Sequence, residues 1–71
     1  MDAILEGADG RLVGIEVKAA ETVHRGDFDG LRHLQLRLGD RFHFGLVLHA
    51  GTTVGSFGER LVAAPIDLLW Q

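Results

Sequence analysis

The chain has no cysteine. Disulfides and thiolate metal sites are therefore excluded. It also lacks any apolar run approaching the roughly 18 residues of a membrane span, and it shows no basic-then-apolar leader. These absences give the expectation of a cytoplasmic chain with no membrane partner. Positive charge is scarce as well. Seven Lys and Arg stand against ten Asp and Glu, for a formal net charge of −3. An autonomous nucleic-acid binder carries a basic face, so tight DNA binding is not expected. A weak or metal-bridged contact stays open, because a bound divalent ion changes the local field. Arg25, Arg32, Arg37 and Arg41 read as a solvated set, with no aromatic interleaving for base stacking. Internal repeats and low-complexity segments are absent.

What is present is a globular composition. Hydrophobic residues make up 46%, enough for a core and too many for disorder. At 71 residues the chain is read as one domain, 1–71, with limited burial and a small stability margin.

Residues 2–6 and 12–19 are β-prone and flank Gly7-Ala8-Asp9-Gly10, which reads as a hairpin. Two registers compete. A two-residue Asp9-Gly10 turn pairs Asp2 with Val17. A three-residue loop, with Gly10 in the left-handed region, pairs Gly7 with Arg11 and Asp2 with Glu16. In the three-residue register Ala3, Leu5, Val13, Ile15 and Val17 share one purely apolar face. Asp2, Ile4, Glu6, Leu12, Gly14, Glu16 and Lys18 share the other. The two-residue register mixes acids into the apolar set, and a one-residue slip of that kind is costly. The three-residue loop is expected, with the apolar face as the core face.

A linker over 20–26 leads to a helix over 28–38. Asp27 is its expected N-cap. Phe28, Leu31, Leu34 and Leu38 recur at helical spacing, and Gly39 is a fitting stop. Gly30 costs such a helix about 1 kcal/mol relative to Ala, and is expected to allow close approach to the sheet. Phe42, Phe44, Leu46 and Leu48 alternate with His43, Gly45, Val47 and His49, which predicts a strand over 42–49. A short hairpin over 54–57 and 61–64 follows, turning at Gly58-Glu59-Arg60. Pro65 introduces a short terminal helix over 66–70, with Trp70 as its packing anchor. This order predicts an α/β fold with a mixed β-sheet and flanking helices.

Asp2 opposite Glu16-Val17-Lys18 is the candidate site. Two carboxylates on adjacent strands can hold Mg²⁺ or Mn²⁺ through oxygen. The backbone carbonyl of Val17 is a candidate further ligand. Lys18 lies two residues after Glu16 and projects from the same face. Its ammonium can orient a water or stabilise charge on phosphorus. The plain reading of the same residues is a solvated strand face with a weak ion pair. Histidine offers no rival site. His43 and His49 stand six residues apart, about 20 Å along a strand, and His33 reads as a solvated helix residue. Gln35 also reads as a surface residue.

The stretch from Asp2 to Glu6 with Gly10-Arg-Leu-Val-Gly-Ile-Glu-Val-Lys-Ala19 resembles the second and third strands of the PD-(D/E)xK nuclease superfamily. More narrowly, the ordered set of Gly14-Ile-Glu-Val-Lys-Ala19, Asp27-Phe-Asp-Gly-Leu31, Leu38-Gly-Asp-Arg-Phe42, Phe57-Gly-Glu-Arg-Leu61 and Pro65-Ile-Asp-Leu-Leu-Trp70 resembles the C-terminal domain of prokaryotic AAA-type ATP-binding proteins. The resemblance implies Asp2 and Glu16 as metal-binding acids and Lys18 as the motif lysine. It implies a restriction-endonuclease-like core lacking its first helix and strand. It also implies Mg²⁺-dependent phosphodiester hydrolysis, weak or vestigial here. The alternative is a non-catalytic interaction or dimerisation module. No Gly-x-x-x-x-Gly-Lys-Ser/Thr loop is present, so this chain holds no ATP site of that type. The expected partners are a second copy of the chain, through an uncovered edge strand, or an upstream ATPase domain.

Overall fold

The computed structural model describes residues 2–70, the side chains of Leu69 and Trp70 excepted. The proposed anchoring role of Trp70 therefore lies outside the described residues. Strand β1 (Ala3–Glu6) and strand β2 (Leu12–Lys18) form the expected antiparallel hairpin. Ala3 pairs with Ile15 and Glu6 with Leu12. This is the three-residue register. Gly10 has φ +82°, the left-handed conformation that loop requires. Gly7 closes it, its N–H donating to the Arg11 carbonyl at 2.9 Å.

A 3₁₀ turn (Arg25–Phe28) then leads into helix α1 (Asp29–Leu38). The helix ends at Gly39, with φ +54°. A second 3₁₀ turn (Gly39–Arg41) delivers the chain to strand β3 (Phe42–His49). Strands β4 (Gly55–Gly58) and β5 (Leu61–Pro65) form the short second hairpin, and a 3₁₀ turn (Ile66–Trp70) follows. The sheet runs β1-β2-β3-β5-β4. The three central strands are mutually parallel, and each edge strand is antiparallel to its neighbour. Among the described residues the result is an α/β fold with a five-stranded mixed sheet and one α-helix.

The core lies on the opposite side of the sheet from the one the hairpin pattern predicts. Helix α1 packs over the face that carries Gly14, Glu16 and Lys18 of β2. In β3 and β5 that face presents Gly45, Val47, Leu61 and Ala63 by register. A Cβ added to Gly45 would lie 3.2 Å from Leu31 Cβ and 3.0 Å from Leu61 Cδ2, so the helix is seated directly on this glycine. Phe28, Leu31, Phe42, Val47, Leu61 and Ala63 form the buried cluster, with Leu34, Leu38 and Phe57 packed against it. The physical reason is the parallel centre of the sheet. Strands buried in a parallel sheet are apolar on both faces, so the face that looks charged in β2 is apolar in β3 and β5. The purely apolar face of the hairpin is left open. Leu5 is 57% and Val17 49% exposed.

Strand β3 also departs from simple alternation. Leu12 pairs with Phe42 but Val13 with Phe44, so His43 is an extra residue in β3. Such a bulge changes the face of everything before it. Phe42 thereby joins the helix-side core instead of the face of Phe44, Leu46 and Leu48.

Candidate active-site cleft

Strand β2 ends beside the start of the helix, and the site forms there. Glu16, Val17, Lys18, Gly26, Asp27, Gly30 and Val47 line a polar cleft of about 300 Å³. Three parallel strands end at this edge of the sheet. The carboxyl ends of parallel strands are where open α/β sheets place ligands.

Each residue of the sequence motif can now be located. Continuing the hairpin register by one residue sets Asp2 opposite Glu16. The main-chain N–H of Asp2 donates to the Ile15 carbonyl at 3.1 Å. Its carboxylate Oδ2 accepts the Val17 N–H at 2.7 Å. Asp2 is exposed, Glu16 is half-buried, and Glu16 reaches under the helix. A Cβ on Gly30 would fall 3.1 Å from Glu16 Oε1. The close approach expected at Gly30 is therefore real, and the group it admits is a carboxylate. Lys18 projects into the same cleft, and its Nζ donates to Asp27 Oδ2 at 2.5 Å.

Asp27 is the residue that the sequence pattern placed differently. It does not cap α1, whose N-cap position is Phe28 with no side-chain cap bond. It lies in the preceding 3₁₀ turn, and its Oδ2 accepts the His24 N–H at 2.7 Å. The Asp27 N–H donates in turn to the His24 carbonyl at 3.0 Å. The hydrogen bond from Lys18 holds the Asp27 carboxyl below its ordinary value of 3.8, the His24 N–H lowers it further, and partial burial opposes both. Asp27 is nine residues from Lys18, with a linker between them. No periodicity connects two such positions, so the pair was invisible as a pair. The usable signal was an acid at the end of a linker that returns to a lysine-bearing strand end.

The remaining polar candidates are structural. Arg32 donates to the Phe57 carbonyl at 3.0 Å and lies 5.9 Å over the Phe28 ring. Gln35 donates to the Glu59 carbonyl at 3.1 Å. Both tie the helix to the β4–β5 hairpin. His33 and His43 are exposed, but His49 is fully buried. Its Nδ1 accepts the Gly51 N–H at 3.1 Å, so the proton sits on Nε2, which donates to the Thr53 carbonyl at 2.7 Å. His49 thus braces the turn after β3. Among the described residues, no set of three or more His, Asp or Glu side chains is grouped to hold a metal ion. Nor is any helix long and apolar enough to cross a membrane.

No curated protein and no solved structure matches the chain. Residues 1–69 match the model of a domain of unknown function, DUF4143, and the chain belongs to that family.

Proposed function

We propose that this domain is a nuclease-fold module of the PD-(D/E)xK type, working as part of an AAA-type ATP-binding protein. Its cleft would serve Mg²⁺- or Mn²⁺-assisted chemistry on a phosphodiester. The family is typically found in AAA-type ATPase proteins, which supports the upstream ATPase domain as its partner. The observation that carries the reading is the meeting of Glu16 and Lys18 in one cleft, with Asp2 held at its rim through Val17.

The donor chemistry fits a hard cation. In a strand, the N–H and C=O of one residue point to the same neighbour. The Val17 N–H points to Asp2, so its carbonyl faces that side too. Asp2, Glu16 and the Val17 carbonyl would then hold the ion through oxygen alone, the ligand type Mg²⁺ and Mn²⁺ prefer. Such an ion supplies a polarised phosphate and an acidified water. Lys18 presents its ammonium to the non-bridging oxygens and stabilises the charge that builds on phosphorus. Lys18 is already paired with Asp27 and the chain is acidic overall, so nucleic acid is held weakly without the ion.

The test is calorimetry with Mn²⁺ together with plasmid nicking. Wild type should bind at millimolar Mn²⁺, and Glu16→Ala should abolish the heat. Lys18→Ala should bind the ion but lose nicking. Absence of heat in wild type refutes the reading.

A second reading is a dimerisation module built from two copies of the chain. The observation behind it is β1, an edge strand exposed along its whole length, with Ile4 50% and Leu5 57% exposed on its two sides. An unpaired apolar edge is a template for another strand. Light scattering should give a dimer for wild type and a monomer for Ile4→Lys. A monomer at high wild-type concentration removes this reading.

A further inference from the structure

We propose that Asp27 is the positioning residue of Lys18, fixing its ammonium over the Glu16 cleft. The proposal rests on the reading of that cleft as a phosphodiester site. Lysine is a flexible point charge on a four-carbon stem. Left alone on a strand end, it would sample the whole mouth of the cleft. Here its Nζ is 2.5 Å from Asp27 Oδ2, and both side chains are about three-quarters covered. The anchor is itself anchored. The same Oδ2 takes the His24 N–H, and the 3₁₀ turn that carries Asp27 ends in the fully buried Phe28. The ring of Phe28 stacks on Phe57 at 4.8 Å. The position of the ammonium is thereby referred to the hydrophobic core and not to solvent. Among the described residues, both side-chain hydrogen bonds of Asp27 land on Oδ2, and none falls on Oδ1. The carboxylate therefore holds both the lysine and the turn backbone with one oxygen.

The competing role for Asp27 is a purely structural one, as the acceptor for the His24 N–H. Asn can serve as such an acceptor as well as Asp, but it carries no charge. Asp27→Asn therefore separates the two roles. The experiment compares wild type, Asp27→Asn, Asp27→Glu and Lys18→Ala in two measurements. The first is the NMR signal of the Lys18 side-chain ammonium, which is seen only when exchange with water is slowed. The second is the Mn²⁺-dependent nicking rate, with the melting temperature as a check on folding.

The signal should be present in wild type, absent in Asp27→Asn and partly restored in Asp27→Glu. Nicking should fall by on the order of 10- to 100-fold in Asp27→Asn, the size expected when a reacting group is displaced. The melting temperature of Asp27→Asn at neutral pH should fall only slightly, because the ion pair lost is a partly exposed one. An ammonium signal that persists in Asp27→Asn overturns the proposal. So does wild-type nicking in Asp27→Asn when Lys18→Ala is inactive. A wild type that does not nick refutes the nuclease reading instead, and the ammonium signal then decides the positioning role alone.

Discussion

Gly30→Ala should make this protein more stable and its cleft worse. Gly30 is the second residue of α1. Glycine in a helix costs about 0.5–1 kcal/mol relative to alanine, mainly through backbone entropy. Removing that cost should raise the melting temperature by roughly 2–8 °C for a domain of this size. The added Cβ lies 3.1 Å from Glu16 Oε1, closer than ordinary van der Waals contact. The obstacle is the far end of a flexible side chain, so it gives way by a few tenths of an ångström at little cost. Stability therefore rises, but the carboxylate is pushed from its seat. Disturbing the setting of a ligand costs about tenfold or more in metal affinity. Thermal melting and Mn²⁺ calorimetry on the same samples check both halves. Gly26→Ala is the control, because its Cβ meets only Asp29 Oδ2, at an ordinary 3.9 Å. A lower melting temperature in Gly30→Ala refutes the steric argument. Unchanged Mn²⁺ affinity beside a raised melting temperature refutes the role given to Glu16.

Other outcomes follow from the same contacts. The folded-state value of Asp27 is lowered, so its contribution to stability is present above about pH 3.8 and is lost as pH falls through the folded value. Denaturant melts across that range should show a shallower acid decline for Asp27→Asn than for wild type. His49→Ala removes a fully buried ring and leaves the Gly51 N–H and Thr53 carbonyl without it. The loss should be about 3 kcal/mol or more, a large part of the roughly 4–11 kcal/mol expected for a domain of this length, and urea titration would show it. Gly51→Ala would put a Cβ 2.2 Å from the Glu21 carbonyl oxygen. Neither backbone can move cheaply, so the same titration should show a destabilisation of about 1–3 kcal/mol.

The hairpin was legible because its two candidate registers differ in the side on which every residue falls. Only one keeps Asp2 and Glu16 out of the apolar set. Helix and strand limits were also near the mark, since Leu31, Leu34 and Leu38 carry a strong helical period and Gly39 stops it. The side of the sheet that α1 covers was not legible. That choice depends on Gly45, Val47, Leu61 and Ala63, which the hairpin does not contain. The face of Phe42 was hidden by the bulge at His43, which no local pattern announces. Glu16 and Lys18 could be placed on one face from their spacing alone. Asp27 could not, because its meeting with Lys18 exists only after the chain has crossed from β2 to the helix.

The crossover also sets when the site can form. The β1–β2 and β4–β5 hairpins are local in sequence, and such pairs close in microseconds. The β2–β3 pairing joins residues about thirty apart, such as Glu16 and Val47, and carries the larger loop-closure entropy. Glu16 and Lys18 come with the first hairpin, but Asp27 reaches them only when α1 docks across the parallel strands. The cleft, lined by Val47 of β3 as well as by β2, is thus complete only once this long-range pairing is in place. In refolding experiments the Lys18–Asp27 contact should appear with the final cooperative phase and never ahead of it.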